Sequence, residues 1–200
     1  MIDAIVLRES DMSAGPDRIA GARPVIFDSV ANLDAGGGLR NPVTWHTLRQ
    51  CGITWRGTPL DRDRLWHDPE RLDTWTRGNL ESYWRPWLTQ SERLAAHPDL
   101  ELLIDGATEW GVLGVTRLHY TLATGRITSK RGAGEYALAT FGGRWHSIVG
   151  DALRIRAGRA GSSQISDAKQ KLQEVRSYMT RVIDTALELP SYNRMMSSQG

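Results

Sequence analysis

Thr108-Glu-Trp-Gly-Val-Leu-Gly-Val-Thr-Arg117-Leu-His-Tyr-Thr-Leu-Ala-Thr-Gly125-Arg-Ile-Thr-Ser-Lys130 is the stretch on which the fold turns. Trp110, Leu113, Leu118 and Leu122 recur at helical spacing, which predicts a helix beginning at Thr108. Gly125 tolerates the left-handed conformation that closes a helix. Four residues later Ser129 offers an oxygen to the orphan N–H groups of a second helix, predicted from Lys130 to about Phe141. Toward the C-terminus another helix is expected from about Trp145 to Ala157. Gly158 to Ser163 is a break, and a last helix covers about Ser166 to Leu189. Its apolar residues Ala168, Leu172, Val175, Met179, Val182, Ala186 and Leu189 alternate spacings of four and three. That is a coiled-coil-like seam, read as packing within one bundle, with a homodimer zipper as the alternative.

Toward the N-terminus, Asp68-Pro69-Glu70 is a helix start: a capping carboxylate, proline in the first turn and an acid beside the positive dipole end. That helix lines up Leu72, Trp75, Leu80, Tyr83, Trp84 and Trp87, and Pro86 should kink or end it. Gly52 to Asp63 reads as a loop. Pro42 to Gln50 reads as a short helix with proline at its first position. Residues 12–40 are rich in Gly, Ala, Pro and Asp, with one short apolar patch, Pro24-Val25-Ile26-Phe27, that suits an edge strand. Residues 2–7 form a β-branched, apolar run that suits a strand buried on both faces. A strand of that type needs neighbours, so a chain opening on it reads as truncated or as starting from a misassigned codon. The expected fold is mainly α: a helical bundle over 41–200, preceded by one or two strands within 1–40.

Composition narrows the function classes. The chain has 200 residues, 40% hydrophobic and 24% charged, enough for one main core. A net charge of +2 gives no argument for a nucleic-acid or membrane partner. Cys51 is the single cysteine, which rules out an internal disulfide and suits a reducing, cytoplasmic setting. No run approaches the ~20 apolar residues of a membrane-spanning helix.

Chemistry concentrates at the turn Thr124 to Lys130. Lys130 sits where the free N–H groups and dipole of a new helix point outward, and Arg117 lies two turns before the end of the preceding helix. Together they suit a triphosphate; the plain alternative is a solvated lysine beside a serine cap. Asp3 is a lone acid in an apolar strand, costly unless it meets a metal, a cation or a catalytic task; the alternative is an exposed residue at a frayed terminus. Eight tryptophans at mostly helical spacing are core residues first, and sugar-stacking platforms second.

The stretch Trp110 to Lys130, followed by Gly134-Glu135-Tyr136-Ala137-Leu138, resembles the helical C-terminal domain of aminoglycoside adenylyltransferases of the streptomycin/spectinomycin type. Asn41-Pro42-Val43-Thr44-Trp45-His46 and Arg77-Gly78-Asn79-Leu80 fit the same pattern. The resemblance implies that residues 1–40 are the remnant of an α/β nucleotidyltransferase domain and that 41–200 are the helical domain. It implies AMP transfer from Mg-ATP to a hydroxyl of an aminoglycoside-like small molecule, hence antibiotic resistance. It places Arg117 and Lys130 on the ATP phosphates and Asp3 as general base and metal ligand. Trp110 and Asp105 are the local residues suited to an acceptor pocket.

The departures are equally concrete. The Gly-Ser…Asp-x-Asp that holds ATP and two magnesium ions in that family does not occur in this sequence. Asp61-Arg62-Asp63 lacks a preceding Gly-Ser, and Lys169 stands where Gly161-Ser162-Ser163 and Asp167 would need a second acid. The 200 residues alone should therefore be inactive or nearly so. In an ungapped alignment the family's drug-binding acids fall on Leu103 and Ala107, and Arg156 replaces an expected aromatic residue. Two other readings stand beside this one. One is a non-catalytic binding remnant. The other is a helical RNase, or the partner of a separate minimal nucleotidyltransferase, suggested by Arg40-Asn-x4-His46, although Pro42 interrupts the helix that would align the pair.

Overall fold

The computed structural model describes residues 11–18, 40–161 and 163–192, and the backbone of 2–6 and 23–27. The chain divides into two compact units, Met1–Trp75 and Thr76–Gly200.

In the first unit, β1 (Ile2–Val6) pairs antiparallel with β2 (Arg23–Phe27), Asp3 opposite Ile26. Both expected strands are present. Each finds a neighbour in the other, so among the described residues the first strand is not orphaned but half of a two-stranded sheet. A 3-10 turn spans Pro16–Arg18, after Gly15, whose φ of 78° places it where an indole edge of Trp66 leaves no room for a Cβ. Helix α1 (Pro42–Cys51) starts as expected: Asn41 Oδ1 accepts the N–H of Thr44 at 3.2 Å, and Pro42 occupies a position whose N–H needs no partner. Helix α2 (Pro69–Asn79) is capped by Asp68, which accepts from Arg71 N–H at 2.8 Å.

The expected break at Pro86 takes a softer form. The chain passes from α2 through a π turn at Leu80–Trp84 into α3 (Arg85–Gln90). Arg85 N–H reaches back five residues to Leu80 O, and the widened turn directly precedes a residue that has no N–H to give. A 3-10 segment, Ser91–Ala96, ends the run.

Helix α4 (Leu100–Thr124) is the axis of the second unit and begins eight residues before the expected Thr108. Gly106, within the added turns, is exposed on the helix with open space around its α-carbon. Its cost, about 1 kcal/mol relative to alanine, is small against the packing of the long helix. Gly125 closes α4 with φ of 67°, its N–H on Thr121 O at 2.8 Å. Helices α5 (Lys130–Thr140), α6 (His146–Arg156) and α7 (Ala168–Glu188) complete a bundle around α4. The seam predicted for the last helix faces inward: Leu172, Val175, Met179, Val182 and Ala186 are buried, and α7 packs along α4 of the same chain. Trp84 is buried and Trp87 packs against the same core, as expected; Trp75 is half-buried.

Several buried polar groups in this bundle pair with one another. Thr116 Oγ1 bonds Val112 O and, at 2.7 Å, the hydroxyl of Tyr178, whose titration burial pushes far above the ordinary phenol range. Lys171, 4% exposed, lies 2.5 Å from Asp151 Oδ2 and 2.7 Å from Asp105 Oδ1, while Arg154 holds Asp151 Oδ1 at 2.6 Å. Burial pushes the Asp151 carboxyl up, but hydrogen bonds from Lys171, Arg154 and Ser163 outweigh it and hold the group below its ordinary value.

His119 sits 5% exposed with Nδ1 2.9 Å from the Tyr136 hydroxyl, and burial depresses its affinity for a proton. The unfolded chain protonates this imidazole near pH ~6.5, the folded chain only at lower pH. Below that pH the unfolded state binds more protons, so stability falls as the pH falls. Urea midpoints are expected to drop between pH 7.5 and 5.5, and His119→Gln to flatten that slope; an unchanged slope in the variant would assign the effect elsewhere.

Candidate functional site

The corner between α4 and α5 is built from local rules. After Gly125 turns the chain, Thr121 Oγ1 donates to Arg126 O at 3.0 Å, and Arg117 Nε donates to Thr128 O at 3.0 Å. Ser129 Oγ then accepts the N–H of Gly132 at 3.0 Å and starts α5 at Lys130. Arg117 thereby braces the loop that leads into Lys130.

Two residues not selected from the sequence complete the cluster. Lys130 Nζ lies 2.9 Å from Glu109 Oε1, with side chains 16% and 18% exposed. Arg156, at the last turn of α6, reaches the same oxygen at 3.4 Å and is 56% exposed. Three cations and one carboxylate leave an excess of two positive charges at a half-buried corner. Burial, and then the proximity of Arg156, press the Arg117 guanidinium below its ordinary range. It remains a cation at neutral pH, and an added anion would relieve that strain. Lys130 Nζ also stands 4.9 Å from the centre of the Trp110 ring, a cation–π contact on an indole that is 44% exposed.

The other expected residues lie apart from this corner. Asp105 is 53% exposed but is held by Lys171, in the ionic network that joins α4, α6 and α7. Asp3 lies on β1, and its side chain is outside the described residues. Among the described residues no three His, Cys, Asp or Glu side chains come together as a metal site. His46, the acid of the RNase reading, is 5% exposed with Nε2 3.2 Å from Asp68 O; burial and then His67 disfavour its protonation. That contact ties α1 to the start of α2. Among the described residues no helix is long and apolar enough to cross a membrane.

A bundle with a cationic corner on its central helix is thus the unit that the second half of the sequence builds. The family model for the aminoglycoside adenylyltransferase C-terminal domain matches residues 80–182, just over half of the chain and wholly inside the second unit, and the chain belongs to that family. Neither the curated proteins nor the solved structures contain a match to it.

Proposed function

We propose that this chain serves AMP transfer from ATP to a hydroxyl of an aminoglycoside-like small molecule, with Arg117 and Lys130 gripping the phosphate tail. In this reading residues 1–40 belong to the nucleotidyltransferase domain and 41–200 to the helical domain. The observation that supports it best is the convergence of Arg117 and Lys130 on the start of α5. Bound ATP supplies the adenylyl group and leaves pyrophosphate behind. Lys130 would stabilise charge as it builds on those departing oxygens. Arg117, its plane held by the bond to Thr128, would keep the tail in register. Trp110 offers ring surface to the acceptor, and Asp105 a half-exposed carboxylate. Asp3 is the proposed base.

Magnesium does not fit the described residues: they assemble no carboxylate cluster, and the sequence holds no Gly-Ser…Asp-x-Asp pair. Nucleotide binding is therefore the direct test, since the cations alone should confer it. Calorimetric titration of the full chain with ATP should show binding that weakens about tenfold or more in Lys130→Ala. Equal affinity in the variant would remove the phosphate assignment. A chain that binds neither ATP nor an amino-sugar would instead match the non-catalytic reading.

A further inference from the structure

Glu109 and Arg156 point to how the corner selects its ligand. Glu109 presents one oxygen to both Lys130 and Arg156, on α5 and α6, from the middle of α4. A phosphate oxygen would seek the same two cations, by the same charge-assisted hydrogen bonds. Glu109 and a bound phosphate cannot hold the Lys130 ammonium and the Arg156 fork in full at once. Arg156 is more than half exposed, so an anion can reach it first and then draw Lys130 away from the carboxylate.

We propose that Arg156 is a third anion-binding cation of this site and that Glu109 is its internal competitor, the carboxylate that an incoming polyphosphate displaces. This rests on the nucleotide reading above and adds a sign to it. If Glu109 merely held Lys130 in place, removing its charge would weaken anion binding. If it competes, removing its charge strengthens binding. The competitor also raises the charge an anion must carry: a species with several negative oxygens spans Lys130, Arg156 and Arg117 together, whereas a single phosphate must recover the lost Glu109 contacts with fewer bonds of its own.

The test uses the full chain and inorganic pyrophosphate, titrated calorimetrically at fixed ionic strength. Glu109→Gln should bind pyrophosphate about tenfold more tightly than the unaltered chain. Glu109→Ala, which also removes the charge and favours the helix, should move the same way, and Arg156→Gln the opposite way. Circular dichroism confirms that each variant is folded. Unchanged or weaker binding in both folded Glu109 variants overturns the competitor role. If Lys130→Ala still abolishes pyrophosphate binding in that case, the phosphate reading of the corner stands by itself. Absence of pyrophosphate binding in the unaltered chain and in every variant overturns both.

Discussion

Replacing Lys171 with methionine is expected to lower stability by about 3 kcal/mol, measured by urea denaturation near neutral pH. The ammonium is almost fully buried between α4, α6 and α7, with Asp151 on one side and Asp105 on the other. Methionine keeps most of the volume and removes the charge. Asp151, itself 4% exposed, then keeps only Arg154 as a charged partner. Its carboxylate was stabilised in the ionised form by both, so the loss falls on the folded state alone. Two companions isolate the cause. Asp105→Asn, which removes the half-exposed arm, should cost under about 1 kcal/mol. Lys171→Met combined with Asp151→Leu should recover part of the loss, because the two most deeply buried charges go together and only Arg154, 23% exposed, loses a carboxylate. A Lys171→Met chain as stable as the original would show that the network contributes nothing.

Gly114→Ala is the second large effect, and its direction opposes helix propensity. Alanine in mid-helix is ordinarily favoured over glycine by about 1 kcal/mol. At position 114 a Cβ would stand 2.3 Å from Trp84 Cη2 and 2.5 Å from Cζ2, atoms of a rigid, buried indole. The ring or α4 itself must move, at a net cost of about 2 kcal/mol. Gly106, on the same helix, has nothing within 4 Å of its built Cβ, so Gly106→Ala should stabilise by up to ~1 kcal/mol. Thermal melts of the two variants should shift in opposite directions. Equal shifts would mean that Trp84 yields without resistance.

What the sequence made legible was what neighbouring residues decide. Pro42 at a helix start, Asp68 with Pro69, Gly125 and Ser129 each act within four residues, and each signal is met where it was expected. The α7 seam was legible because one repeating spacing runs through it. Arg117 and Lys130 could be paired in advance since one turn of chain joins them. Contacts across long stretches were not legible. Glu109 meets Arg156 forty-seven residues on, and Lys171 meets Asp105 sixty-six residues back. No local pattern marks either. The early start of α4 was not legible either: its N-cap Asp99 makes no side-chain capping bond, and the run from Leu100 to Ala107 carries no local start signal.

The π turn at Leu80–Trp84 carries a consequence for any indel in this region. It advances the helical phase by one residue, so the stripe that α2 begins is not the stripe that α3 continues. Trp84 reaches the bare flank of Gly114 because of that offset. Excising a single residue between Leu80 and Ser82 would close the wide turn into unbroken 3.6-residue winding and leave the indole near the glycine, whereas the same excision inside α2 would turn everything after it by about 100° and leave a slot with no ring to fill it.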